Sequence, residues 1–346
     1  MQFLYEYGLF FAKTITFVIA IIAIIVAAAA AKKGKGNRKG ELEVTNLTER
    51  FSELKESIES QLLDKDALKR KQKALKQQEK KAAKEKKSKD TDEQADSKLF
   101  VIDFKGSVDA HEVDNLREEV SAILAVATEK DEVLLRLESG GGVVHGYGLA
   151  ASQLVRIRDK NIPLTVAIDK VAASGGYMMA CVADKIVAAP FAIVGSIGVI
   201  AQLPNFNKVL KKNDIEFEQI TAGEFKRTLT IFGENTDKAR EKFKSELEEI
   251  HSLFVQHISQ YRQDLDVAKV ATGEHWMGSQ AQQLGLVDEL ITSDELITQK
   301  IANMPVYQVK YSIAKSFLDK LPIAAASSIE SVFMRLTGKM NEMKFK

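Results

Sequence analysis

The chain has 346 residues but only one cysteine, one tryptophan and five histidines, and its 49 Lys and Arg almost cancel its 48 Asp and Glu. A lone cysteine, Cys181, excludes a disulfide framework within the chain, and its apolar surroundings mark it as a core residue. His111, His145, His251, His257 and His275 fall at no spacing with cysteine or carboxylate that would build a zinc site. A formal charge of +1 gives nucleic acid no electrostatic footing as a partner. Phosphate-binding motifs are missing too. There is no G-x-x-x-x-G-K-[ST] loop, and after Gly140–Gly142 His145 stands where a dinucleotide fingerprint needs its third glycine. No cofactor is called for. The length allows one large or two ordinary domains.

What is present begins with an apolar run. Residues 14–31 contain neither a charge nor a strong breaker, and extending back to Leu9 crosses only Lys13, which can snorkel. About 20 apolar residues span a bilayer as a helix, so residues 9–31 read as a single membrane anchor in contact with lipid, within a segment 1–40. A cleaved signal peptide is the rival reading, but its apolar stretch is ordinarily about 7–15 residues. Lys32, Lys33, Lys35, Arg38 and Lys39 follow the run, and the positive-inside rule puts the domain beyond them in the cytoplasm.

Residues 41–98 read as a charged helical linker. Leu47, Phe51, Leu54, Ile58 and Leu62 form a narrow helical stripe. Residues 69–89, mostly Lys, Gln, Glu and Ala, favour a helix with almost no apolar face. Such a segment is a solvated stalk or a basic strip against anionic lipid. Residues 90–97 read as a disordered hinge.

Residues 99–300 read as one α/β domain. Strands are expected at 99–104, 133–137, 163–168 and 186–189. Helices are expected along Val113, Leu116, Val120, Ile123 and Leu124, over 147–158, and after Ser174. Alternation of strands and helices implies a mostly parallel sheet. Pro190, Gly195 and Gly198 break residues 186–200 into two short strands with a turn rather than a second span. Thr236 is placed to cap a long helix reaching about Arg262, with Leu247, Ile250, Leu253, Phe254 and Ile258 inward. Residues 301–346 read as an amphipathic tail bearing Phe317, Leu318, Leu321, Ile323, Ile329, Val332, Phe333 and Leu336.

Two segments carry the chemistry. Residues 133–146, VLLRLESGGGVVHG, break from an apolar run into glycines. Residues 171–177, VAASGGY, set Ser174 on a turn of small residues. Bare backbone N–H groups facing a nucleophile are what acyl transfer needs, because charge develops on a carbonyl oxygen. The serine needs a base, either a histidine (His145, His251 or His257) or a lysine kept neutral. Free lysine titrates near about 10.4, and burial depresses it. Lys226, in GEFKR at 223–227, follows a strand-like stretch at 215–220 and is a candidate, though lysine at such a position is ordinarily a surface residue.

These segments resemble the signal peptide peptidase A and SohB family of serine peptidases, which adopt the ClpP/crotonase fold. The resemblance covers about residues 99–295 and extends to the N-terminal anchor and charged linker. It implies a ClpP/crotonase-like ββα superhelix, a nucleophile at Ser174 in Ser174-Gly175-Gly176, and a base at Lys226 in Gly-x-x-Lys, 52 positions on. It further implies a lysine-orienting Ser196 in the Gly195–Val199 run, and a closing motif from Trp276 to Asp288. Gly175, with Gly141 or Gly142, would supply the oxyanion hole. Relatives often carry Asn-Ser-Pro-Gly-Gly in the first loop, where this chain has Glu138-Ser139-Gly140-Gly141-Gly142. Ala173, Met178 and Met179 either favour apolar substrate side chains or belong to the core. The resemblance implies a homo-oligomeric ring, in which serine and lysine can come from neighbouring subunits, acting on peptides. It also implies the bacterial inner membrane, with the domain on the periplasmic side, against the charge rule. A crotonase-like acyl-CoA enzyme and a non-catalytic membrane scaffold are the competing functions.

Overall fold

The computed structural model describes residues 6–11, 13–18, 40–63 and 97–312. The chain divides into two compact units, one formed by Leu42–Tyr311 and one by the two ends, Met1–Glu41 with Ser312–Lys346. In the terminal unit, residues 6–11 and 13–18 are helical, and the Thr14 hydroxyl donates to the Phe10 carbonyl at 2.9 Å. Among the described residues, no helix is long and apolar enough to cross a membrane. Most of the expected anchor, the run 69–89 and the apolar positions 317–336 lie outside the described residues.

The larger unit is a mixed α/β fold. Its strands are β1 (Glu41–Asn46), β2 (Leu99–Gly106), β3 (Glu132–Ser139), β4 (Leu164–Ile168), β5 (Val171–Ala173), β6 (Lys185–Ala188), β7 (Ile193–Gly195), β8 (His275–Met277), β9 (Glu289–Leu290) and β10 (Val306–Ser312). Its helices are α1 (Leu47–Leu62), α2 (Val113–Leu124), α3 (Val144–Arg158), α4 (Gly175–Ala180), α5 (Asn207–Lys212), α6 (Asp237–Tyr261), α7 (Val267–Val270), α8 (Gly278–Gln283) and α9 (Ser293–Ile301). The main sheet runs β1-β10-β2-β3-β4-β6-β9, and its pairings from β10 to β9 are parallel.

A parallel sheet needs cover on both faces, so its central strands read as continuous apolar runs. β3 shows why. Val133, Leu135 and Leu137 face one apolar cluster with α2, α3 and α4. Leu134 faces a second cluster, where Leu47 of α1 and Ile297 of α9 close over Val101, Ala167 and Val187.

The sheet forks at β3. Val133–Arg136 pair with β4, but Ser139 at the strand's end pairs with Ala172 of β5. β5 in turn pairs with β7, and β7 pairs antiparallel with β8. The β6–β7 break matches the expected pair of short strands. Thr236 caps α6, its hydroxyl accepting from the Ala239 N–H at 3.2 Å.

Four expectations are corrected. Residues 41–46 are not helical linker but strand β1, neighbouring β10; the charged composition hid the alternation of Leu42 and Val44. Residues 306–312 are not tail but strand β10, in parallel register with β2. Its buried Val306 and Val309 stand three apart, so no period of two announced it. Residues 215–220 are irregular. Ile215 and Phe217 alternate as in a strand, but a strand needs a neighbour for its backbone groups, and among the described residues this stretch pairs with none. Leu253 points outward on α6, 58% exposed, while Phe254 and Ile258 are buried.

Candidate active site

Three parallel strands end side by side at the fork. Ser139 ends β3 opposite Ala172, and Ala173 ends β5 opposite Gly195 of β7. Gly140, Ser174 and Ser196 therefore open three adjacent loops at the carboxyl ends of the strands, where open α/β sheets bind ligands.

Ser174 is held in a rare backbone conformation, φ 52° and ψ −119°. For a residue with a Cβ this costs on the order of 1–3 kcal/mol and persists only where the surroundings impose it. They do so here. The Ser174 N–H donates to the Gly195 carbonyl at 2.8 Å, and its carbonyl accepts from the Met178 N–H at 3.0 Å, the first bond of the fully buried helix α4. His257 of α6 fastens that helix from behind, its Nε2–H donating to the Met178 carbonyl at 3.1 Å. Burial holds the His257 imidazole below its ordinary pKa, in its neutral form. Ser196 likewise has a positive φ, 51°, its N–H donating to the Glu274 carbonyl at 2.6 Å.

The glycine loop closes on this turn. Gly141 has φ 85°, and a Cβ there would stand 2.6 Å from the Gly175 nitrogen and 2.7 Å from the Ala173 carbonyl. A Cβ on Gly142 would run into the Val108 carbonyl, which accepts from the Val143 N–H at 2.8 Å. The two glycines differ as donors. The Gly141 N–H is spent on Ser139 Oγ at 3.1 Å, whereas the Gly142 N–H donates to no group among the described residues.

An open cleft of about 1010 Å³ joins Gly141, Gly142, Ser174, Gly175 and Ser196. Met178 lines it, while Ala173 and Met179 belong to the core. One face of α6 forms a wall through Lys244, Leu247, Glu248, Ile250, His251 and Phe254. Lys244 pairs with Glu248 at 3.6 Å. His251 carries a buried Nε2 without a hydrogen-bond partner among the described residues. Val108, which no sequence pattern marks, also lines the cleft; its proximity follows only from the loop after β2 lying against Gly142.

Lys226 stands apart. It is exposed and absent from the cleft lining, and its N–H donates to the Gly223 carbonyl at 3.3 Å in a turn where Gly223 has φ 98°. Beside it Glu224 binds Lys238 at 2.7 Å, and the Phe225 ring lies under Lys238 and Lys242. Glu138, which stands where relatives often carry asparagine, is an ion-pair residue. Lys105 at 3.2 Å and Lys170 at 3.3 Å hold it below the usual carboxylate range. The Trp276–Asp288 motif clamps strands. Trp276 pairs with Val194 and covers Gly195, and Asp288 accepts from the Ile186 N–H and from Arg262, each at 2.6 Å.

Residues 2–154 match the family model described as "Peptidase family S49 N-terminal", and residues 156–306 match "Peptidase family S49". A probable protease SohB of Haemophilus influenzae is 48% identical over 340 residues, covering 97% of this chain and 96% of that protein. The chain belongs to peptidase family S49. A second probable protease SohB, from Buchnera aphidicola subsp. Acyrthosiphon pisum, is 47% identical and covers 97% of this chain and 98% of its own. Among solved structures, a mutant of a membrane-bound stomatin-specific protease with a substrate peptide aligns at 15% identity and a TM-score of 0.42, over 66% of this chain and 96% of that one. The seam between the two family segments falls inside α3, so one helix carries the chain from one to the other.

Proposed function

We propose that this family S49 protease is a membrane-anchored serine endopeptidase with a ClpP/crotonase-like fold, hydrolysing small membrane-released or misfolded peptides through Ser174 and Lys226. The observation that carries the reading is the backbone of Ser174, held at φ 52° against a glycine loop in one cleft. A nucleophile presented on an imposed turn beside uncommitted N–H groups is an arrangement for acyl transfer.

In the proposed reaction, neutral Lys226 takes the proton from Ser174 Oγ as that oxygen bonds to the peptide carbonyl carbon. The electron pair of the carbonyl moves onto oxygen, which is met by the N–H groups of Gly175 and Gly142. When the C–N bond breaks, the Lys226 ammonium returns its proton to the leaving amine. Water then attacks the ester, Lys226 accepts its proton, and Ser174 leaves with that proton. Ser196, beside Ser174 in register, is the group proposed to hold the lysine amine.

Lys226 lies on an irregular stretch, residues 199–236, broken only by the short α5, that exposes Ile200, Ile215, Phe217, Ile220, Phe225 and Phe232. Apolar surface left uncovered on this scale marks a protein contact. We assign it to a second copy of the chain in a homo-oligomeric ring, whose closure brings a lysine to each Ser174. The apolar run 9–31 supports the anchor. Which side of the membrane the domain faces is read by a reporter fused to the C-terminus.

The test uses the full chain with a casein or signal-peptide substrate. Ser174→Ala and Lys226→Ala are each expected to lower kcat by about 10⁴-fold, as loss of a nucleophile or base does. His251→Gln, which changes the one imidazole lining the cleft, is expected to retain turnover. A fluorophosphonate should label Ser174 alone. Turnover that survives Lys226→Ala but not His251→Gln would replace the lysine by the histidine. Turnover unaffected by Ser174→Ala would end the reading.

A further inference from the structure

We infer that Tyr147 is a positioning residue that ties the two halves of the oxyanion pocket together, acting on the glycine loop through Ser139. The inference rests on the serine-peptidase reading above and adds to it residues that the dyad chemistry does not require.

Tyr147 sits in the first turn of α3, the helix that follows the glycine loop, and its side chain is fully buried. Its hydroxyl donates to the Ser107 carbonyl at 2.8 Å and is also hydrogen-bonded to Ser139 Oγ. A phenol has one proton. With that proton given to Ser107, the Ser139 hydroxyl must be the donor to Tyr147, which leaves the serine lone pairs to accept the Gly141 N–H at 3.1 Å. The direction of every bond is thereby fixed, from Gly141 N–H to Ser139, from Ser139 to Tyr147, and from Tyr147 to the Ser107 carbonyl. Such a chain polarises along its length and favours a single arrangement. Burial holds the phenol above its ordinary pKa, so it keeps the proton the relay needs.

The ring does the second half of the work. A Cβ on Gly175 would collide with Tyr147, with ring atom Cδ2 at 2.7 Å and Cβ at 2.9 Å. The Tyr147 side chain is therefore the wall against which the residue after the nucleophile is set. Ser139 touches the same turn from its other side, because a Cβ on Gly176 would lie 2.6 Å from the Ser139 carbonyl. One side chain thus fixes the Gly141 amide by hydrogen bonds and the Gly175 amide by contact. With the Gly141 N–H committed, the loop's next amide, on Gly142, is the one left for substrate oxygen.

The relay orients donors that matter when charge develops, so its loss should slow the chemical step more than it weakens binding. Tyr147→Phe keeps the ring and removes the relay. In the full chain we expect kcat to fall about 10-fold, the scale of a small misplacement of reacting groups, with KM little changed. A peptide aldehyde, whose adduct oxygen enters the pocket, should bind weaker by the same factor. A reduced-bond peptide, which has no such oxygen, should bind as before. Ser139→Ala should give the same pattern, and the double variant should be no worse than the worse single one. Ser139→Ala also stands in if Tyr147→Phe lowers Tm. An unchanged kcat in both variants, or a raised KM at constant kcat, overturns the inference while wild-type turnover and the label on Ser174 keep the peptidase reading intact. A wild type that neither turns over nor takes the label overturns that reading, and this inference with it.

Discussion

The two sides of the proposed dyad are built by opposite means. Ser174 stands where three strand ends, a buried helix and a glycine loop meet, and each neighbour restricts its backbone. Lys226 stands on an irregular stretch whose apolar residues are exposed, its backbone held by one turn bond. The first region is finished within the chain, because every neighbour that holds the Ser174 turn belongs to the same subunit. The second has surface to spare, as expected of a segment whose packing partner is another molecule. Activity and stability should therefore respond differently to change in the two places.

The largest effect that would test this contrast comes from the finished side. Gly141→Ala puts a methyl 2.6 Å from the Gly175 nitrogen at a residue with φ 85°. We expect kcat to fall by at least about 10²-fold, comparable to losing one oxyanion donor, together with a lowered Tm. Steady-state kinetics and thermal melts on the same sample check both. On the unfinished side, Ile220→Asp changes a side chain that is 94% exposed. It should leave the Tm of the subunit unchanged, shift sedimentation toward smaller species and reduce activity with the shift. A variant that stays assembled and active would remove the contrast.

The smallest effect concerns stability alone. Glu119, on α2, is buried against β10, accepts the Tyr311 N–H at 2.8 Å, and is pushed up to about 7, chiefly by burial. The folded chain keeps this proton up to about pH 7, while the unfolded chain releases it near 4.5. Its contribution to stability is thus complete below 4.5 and lost as pH rises through 7. Asp103 disfavours the charged form further and Lys310 favours it. Glu119→Gln should flatten the fall in Tm between pH 5 and 8 by a few °C. An equal slope in both proteins would assign that fall to other groups.

Much of the central sheet was legible because buried parallel strands announce themselves as apolar runs, as β3 does. The long helix was legible from its cap at Thr236 and its inward Phe254 and Ile258. That the glycine loop faces Ser174 was legible from the two small-residue turns, whereas the place of Ser196 beside them was expected only from resemblance; the physical basis of both is strand register, which no local pattern encodes. β1 and β10 were missed because one lies in a charged stretch and the other buries residues three apart. Residues 215–220 were over-read, since alternation predicts a strand only where a partner exists. Tyr147 gave no signal. It is one aromatic on a helix face, and its role comes from Ser107, 40 positions earlier, and Ser139, eight positions earlier.

Positions 141, 142, 175 and 176 share a property no functional group confers: each is a place where there is no room for one more carbon. Neighbours claim the volume beside each, from Ala173 and Ser174, Val108, Tyr147 and Ser139 in turn. The pocket that would receive a carbonyl oxygen is thus maintained by vacancy. A comparison of side chains alone would pass over these four positions, where an added methyl meets a neighbour at once.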